Sequence, residues 1–433
     1  MKLKSIGPLQ GEISVPGDKS ITHRAIMLAS LYNGETVIHK PLLGEDCLST
    51  INIFRQLSVN ISITSDKIIV DSPGYEAFQE PDDVLYTGNS GTTTRLLCGL
   101  LAGLPFKTVL DGDDSIRKRP MGRIIEPLRQ MGVNIKGNEN RFTPVVINEG
   151  TLSNINGIDY VMPVKSAQVK SAILFAGLFA NSEVRITEQE ISRNHTELMF
   201  NQSYIDLEVD DNKIALKPLS IDKLKMHDIT VPGDISSAAF FIVAALIVPG
   251  SRIVLSNVGT NITRNGIIEV VKMMGGNIEV IERSVNAEPV SDIIVSYTGE
   301  LKAITIEGEL IPKLIDEIPV IALLLAHANG KSVIKDAEEL KVKETNRIDT
   351  VVSELNALGY NIQPTHDGMI VHGQLRVDRT RNIFDSFNDH RIGMMLAIAA
   401  LIELEPIEIH RFEAVNVSYP NFLDHIKQLK GEL

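Results

Sequence analysis

The chain has 433 residues, too many for one ordinary core and enough for two domains of about 200. Its 42 Lys and Arg stand against 55 Asp and Glu, a net charge of −13, which argues against nucleic acid as a partner, because such proteins carry a basic face. Trp is absent and aromatics are scarce, so platforms for stacking bases are excluded as well.

In chain order, KLKSIGPLQGEISV has strand character but no unit of its own. It leads into VPGDKSITHRAIMLASL, Val15 to Leu31, where a Pro-Gly turn precedes Asp18, Ser20 and Thr22, side chains that cap helix starts. After Ile21 the stretch is apolar all round, which predicts a buried helix. Lys19 and Arg24 sit at its N-terminal end, where free N–H groups and the macrodipole favour anions. Two snorkelling cations on a core helix fit the same residues equally well.

The stretch recurs as VPGDISSAAFFIVAAL from Val231 to Leu246. Helices of the same kind, with small or polar starts and apolar bodies, are predicted near Asn89, Ser166, Asp316 and Asp389. That makes six, at a spacing of roughly 70 to 80 residues. Each is followed by a β-rich piece and an amphipathic helix. Five are then followed by a hairpin, as in NISITSDKIIV, LEVDDNKIAL and NIQPTHDGMIV. The sixth copy runs into NFLDHIKQL without one, so residues from Met1 to about Ser14 are expected to complete it. The predicted fold is α/β: two pseudo-symmetric domains, each of three units with buried helices and outer sheets. One spans 15–228; the other joins 1–14 to 229–433 through two crossovers. If the three helices of each domain run parallel, their N-termini gather at one end, and two such ends facing across a cleft would focus positive potential there.

Cys47 and Cys98 are the only cysteines, which reads as a reduced, cytoplasmic protein without disulfides. Neither lies in a Cys/His cluster with zinc spacing, so no metal is expected. MKLKSIGPLQ lacks the apolar stretch of a signal peptide, and no apolar run reaches the roughly 18 residues that span a bilayer.

Charge gathers at the helix starts. GNSGTTTR, Gly88 to Arg95, is not a Walker A loop but lets backbone N–H groups approach an anion; a simple capped turn is as good a reading. DGDDSIRKRPMGR places Arg117, Lys118, Arg119 and Arg123 between a strand and a helix, where Arg can grip phosphate or carboxylate or merely be solvated. SAQVKSA offers Ser166, Gln168 and Lys170, and ISRNHTE offers Ser192, Arg193 and His195. Asp316 and Glu317 open the fifth helix as caps or as a general base. In KVKETNRID, Lys343 and Arg347 are four apart, on one helical face, a like-charge pair that costs stability unless an anion lies between them. Asp389, His390 and Arg391 open the sixth helix. Repeats that share a scaffold but differ in charge imply a small polyanionic ligand; without a P-loop, metal cluster or Rossmann fingerprint, no cofactor is expected.

Together PGDKSITHR, GNSGTTTR, RPM, SAQVKSA, VPGDISSAAFF, KETNRID and NDHR resemble, over essentially the whole chain and in order, the 5-enolpyruvylshikimate-3-phosphate synthase family. The resemblance implies two inverse α/β domains and the reaction of phosphoenolpyruvate with shikimate 3-phosphate, releasing phosphate. It implies that Lys19, Ser20, Arg24, Ser166, Gln168, Arg193, Asp316 and Lys343 bind shikimate 3-phosphate. Lys19, Gly91, Arg119, Gln168, Arg347 and Arg391 would bind phosphoenolpyruvate. Asp316 would take the proton of the attacking 5-hydroxyl, and Glu344 with Lys19 would protonate the methylene carbon. A monomer acting on small molecules, without membrane or nucleic acid, is expected. This chain differs from some members in Ala167, in His195 where a tyrosine stands, and in Val417 where a lysine stands. Two other readings have less support. The sister UDP-N-acetylglucosamine enolpyruvyl transferases usually carry a cysteine in the loop that here reads Asp113-Asp114-Ser115. A noncatalytic anion-binding repeat protein would need neither Asp316 nor Glu344.

Overall fold

The computed structural model describes residues 1–218, 221–285 and 288–430. Six helices are buried along nearly their whole length: α1 (Lys19–Leu31), α2 (Gly91–Leu100), α3 (Ala167–Gly177), α4 (Ile235–Ile247), α5 (Ile318–Leu325) and α6 (His390–Ala400). Every residue of α4 is buried, as an all-round apolar sequence demands. Five of the six starts are capped by a side chain: Asp18, Ser90, Ser166, Asp234 and Asp389 each accept a first-turn N–H. α5 has no such cap and instead carries Pro319, whose missing N–H needs no partner in the first turn.

The five expected hairpins form, and each joins one repeated sheet. In the second, third and fifth units the strand before the buried helix pairs in parallel with the strand after it, and that strand pairs antiparallel with the hairpin. Leu85–Tyr86, Thr108–Asp111, Phe142–Ile147 and Ile135–Asn138 lie in that order, as do Asp159–Val161, Val184–Thr187, Lys213–Leu216 and Leu207–Asp210. In the sixth unit Ile383–Asp385 pairs with Ile407–His410, and Lys2–Leu3 takes the place of the hairpin.

The chain forms two compact units, Gly17–Val231 (body one) and Met1–Pro16 with Pro232–Leu433 (body two). Each encloses its own apolar core. The changeovers differ by a few residues from those expected at 15 and 229. Asp234 N–H donates to Pro16 O, which keeps Val15 and Pro16 in body two. Ile229–Thr230 pairs with Asn33–His39 and Val231 N–H donates to His39 O, which keeps those three residues in body one. At the first changeover only glycine fits, since a Cβ on Gly17 would lie 2.2 Å from Lys40 O.

The role expected of residues 1–14 needs correction. Lys2–Leu3 does complete the sixth sheet, but Gln10–Ile13 pairs in parallel with Arg252–Gly259, as the leading strand of the fourth. Ile229–Thr230 plays the same part in the first sheet. The strand before each VPGD turn thus stays in the body that the chain is leaving.

Candidate active site

In body one, side chains from the starts of α1, α2 and α3 interlock. Asp18 caps α1 by accepting from Ile21 N–H at 2.9 Å, and Lys19 Nζ reaches Asp46 Oδ2 at 3.1 Å on the outer helix Glu45–Gln56. One turn on, Arg24 is buried and held on three sides. Nε donates to Thr196 Oγ1 (2.7 Å), Nη2 to Ser171 Oγ (2.7 Å) and Nη1 to Ser20 O (2.9 Å). On α2 and α3, Arg95 Nη1 donates to Gln168 Oε1 at 2.6 Å, and the Gln168 amide donates to Thr92 Oγ1 at 3.1 Å. A Cβ on Gly91 would meet Arg119 Nη1 at 3.3 Å and Arg95 Nη1 at 3.4 Å. Two guanidinium groups therefore converge on the first residue of α2, the positive end of its dipole.

Ser166 accepts from Val169 N–H and so caps α3. Arg193 is half-buried in the segment before helix His195–Gln202. Of the loop cations read as candidates, Arg117 is bound to Asp111 at 2.7 Å and is half-exposed. Burial pushes the Asp111 carboxyl up, but hydrogen bonds from Arg117 and the Gly112 N–H outweigh it and hold it below the usual range. Lys170 is fully buried among carboxylates. His23, which the sequence did not single out, links α1 to α2. Its Nδ1 lies 2.8 Å from Thr50 Oγ1, Thr50 lies 2.8 Å from Thr93, and Thr93 donates to the Ser90 cap at 2.7 Å. Burial, then the charges of Lys19 and Arg24, push the His23 imidazole down to about 3, so it is neutral.

In body two, Arg347 is the hub. It opens helix Arg347–Ala357 and its side chain is only 1 % exposed. Nε donates to Asp389 Oδ2 at 2.8 Å, Nη2 to Glu344 Oε2 at 2.5 Å, and Nη1 lies 3.5 Å from Asp316 Oδ1. Burial alone would lower the guanidinium, yet Asp389, Glu344 and Asp316 together hold it above the usual arginine range. Lys343 Nζ lies 3.6 Å from the same Asp316 oxygen. The expectation of Lys343 and Arg347 on one helical face is corrected, because the helix starts at Arg347 and Lys343 precedes it in a turn. The anion that such a pair requires is the protein's own Asp316.

Arg391 Nη1 donates to Asp316 O at 2.9 Å and lies 3.8 Å from Glu317 Oε1. Glu317 is fully buried; it accepts from the Ser236 hydroxyl, which also accepts from Arg264 Nη2 at 2.7 Å. Glu317 is thereby occupied with joining the starts of α4, α5 and α6. Asp316 keeps an edge in solvent, its side chain 16 % exposed. Thus Asp316, Lys343, Glu344, Arg347 and Arg391 come together in body two. In body one, Gly91, Arg119 and Gln168 form one group with Arg95, while Arg24 is anchored through Ser20 O, Ser171 and Thr196. Asp389, Asp46, Ser171 and Thr196 were missed as partners. Among the described residues no group of three or more His, Cys, Asp or Glu could hold a metal ion, and no helix is long and apolar enough to cross a membrane.

A family model for EPSP synthase (3-phosphoshikimate 1-carboxyvinyltransferase) matches residues 3–426. The chain is 58% identical over 427 residues to a 3-phosphoshikimate 1-carboxyvinyltransferase of Staphylococcus haemolyticus, covering 98% of both. It is 58% identical over 426 residues to one from Staphylococcus aureus, again at 98% of both. An EPSP synthase structure from Acinetobacter baumannii superposes with a TM-score of 0.87 at 39% identity, over 99% of this chain and 97% of that one. The enolpyruvyl transferase NikO from Streptomyces tendae shares the fold at 14% identity, with a TM-score of 0.81 over 100% of this chain and 97% of that one. The chain belongs to the EPSP synthase family, the 3-phosphoshikimate 1-carboxyvinyltransferases, and transfers the enolpyruvyl group of phosphoenolpyruvate to shikimate 3-phosphate.

Proposed function

We propose that Asp316 is the general base of this reaction, and that Glu344 with Lys19 supplies the acid. The observation that carries the proposal is the setting of Asp316. Its carboxylate lies between Lys343 Nζ and Arg347 Nη1 and keeps an accessible edge, whereas the neighbouring Glu317 is sealed inside. Asp316 takes the proton of the 5-hydroxyl as that oxygen bonds to C2 of phosphoenolpyruvate, and C3 receives a proton from the acid. Loss of phosphate by C–O cleavage, with return of one C3 proton, regenerates the double bond in the product. Glu344 hangs on Nη2 of the guanidinium whose Nη1 faces Asp316, so one buried arginine spaces base and acid.

In the same reading Lys19, Ser20, Arg24, Ser166, Gln168, Arg193, Asp316 and Lys343 hold shikimate 3-phosphate. Lys19, Gly91, Arg119, Gln168, Arg347 and Arg391 hold phosphoenolpyruvate. Fixed cations at the leaving phosphate supply the electrostatic share of catalysis. The enzyme acts as a monomer in the cytoplasm, without cofactor; sedimentation at assay concentration checks the first of these. The test of the mechanism is phosphate release from phosphoenolpyruvate with shikimate 3-phosphate as acceptor. Asp316→Ala is expected to lower kcat by about 10²–10⁴-fold. An undiminished kcat would remove Asp316 from the role of base.

A further inference from the structure

Lys170 lies on α3 between Gln168 and Ser171, with its side chain fully buried. Its Nζ is 2.9 Å from Glu188 Oε2, 2.6 Å from Glu197 Oε1 and 3.4 Å from Ser192 O. The other oxygen of Glu188 accepts from Ser192 N–H at 3.1 Å and from the Ser192 hydroxyl at 2.5 Å. Ser192 is therefore gripped at its N–H and hydroxyl by Glu188, and at its carbonyl by Lys170. The next residue in the chain is Arg193.

A second tie lies beside the first. Glu197 takes Lys170, and the adjacent Thr196 hydroxyl lies 2.7 Å from Ser171 Oγ. Two successive residues of α3 thus hold two successive residues of helix His195–Gln202, and the segment carrying Arg193 is pinned at both ends. Burying one ammonium and two carboxylates costs several kcal/mol per ion before attraction repays it, and apolar replacements of such clusters are often as stable. Stability alone gives little reason for three buried charges here; fixing the backbone around Arg193 does.

We propose that Lys170, clamped between Glu188 and Glu197, is a positioning residue that sets Arg193 for the phosphate of shikimate 3-phosphate. The inference rests on the assignment of Arg193 made above. It is tested by steady-state kinetics of the full chain carrying Glu188→Gln or Ser192→Ala, each alone and combined with Arg193→Ala. Glu188→Gln is expected to raise KM for shikimate 3-phosphate about tenfold, with KM for phosphoenolpyruvate and kcat within about twofold. In the Arg193→Ala background the further rise is expected to fall below about twofold, because nothing is left to position.

A full rise in that background overturns the proposal, and so does an equal rise in both KM values. If Arg193→Ala alone leaves KM for shikimate 3-phosphate unchanged, the assignment of Arg193 falls and the proposal with it; that outcome is distinct from loss of coupling alone. Should Glu188→Gln fail to fold, Ser192→Ala removes a single hydroxyl and carries the same test. Its expected rise is about threefold, and no rise overturns the proposal.

Discussion

A guanidinium sunk among Asp389, Glu344 and Asp316 does two jobs at Arg347: it neutralises carboxylates that could not be buried alone, and it sets the spacing between two of them. Its neighbours explain what was legible at the level of single residues. The charged residue types were readable because they stand at helix starts. Their partners were not, because Arg347 and Asp389 are 42 residues apart, Arg24 and Ser171 147, and Arg24 and Thr196 172. His23 was silent in the sequence for a further reason: a histidine inside an apolar helix looks like ordinary core. Its consequence is a pH dependence with a defined sign. Because the folded protein holds His23 neutral down to about 3, against 6.5 in the free side chain, its contribution is complete above 6.5 and is lost as pH falls. Relative to His23→Asn, the wild type is expected to lose about 2 kcal/mol of folding stability between pH 6.5 and 5. Denaturant titrations at the two pH values measure this, and parallel losses in both proteins would show that His23 does not carry the effect.

At the scale of elements, periodicity told nearly everything local. All-round apolar runs became the six buried helices, and alternating segments around Asp, Asn or Gly turns became the five hairpins. It could not tell which sheet a short strand joins. Gln10–Ile13 reads as a strand in any context, and only its long-range pairing with Arg252–Gly259 decides its place. Close helix contact was likewise hidden in a single residue. A Cβ on Gly99 of α2 would stand 2.0 Å from Ala172 O of α3, so the two helices touch where a side chain is missing. Gly99→Ala gains helix propensity yet is expected to destabilise the protein by about 1–3 kcal/mol through overpacking. Chemical denaturation would show it, and a stabilised variant would mean that the helices part at little cost.

At the scale of the whole molecule, each body has its own core, but only body one is contiguous in sequence; body two is assembled from two separated segments. A fragment spanning 17–231 is expected to fold cooperatively by itself. One spanning 17–228 loses Ile229–Thr230 from its first sheet and is expected to melt at least roughly 3 °C lower. Equal melting points would mean that the edge strand contributes nothing.

The strand left behind at each VPGD turn also sets a timetable. Residues 9 to 13 leave the ribosome before any of body one, but the partners of Gln10–Ile13 lie in Arg252–Gly259. Leu9 and Ser251 are 242 positions apart, a stretch that takes roughly ten to fifty seconds to synthesise. Throughout that interval body one can close around its core, while Gln10–Ile13 carries an unpaired edge with nothing yet to join. A strand made before body one is thus among the last to find its place, after the body that follows it in the chain has been completed.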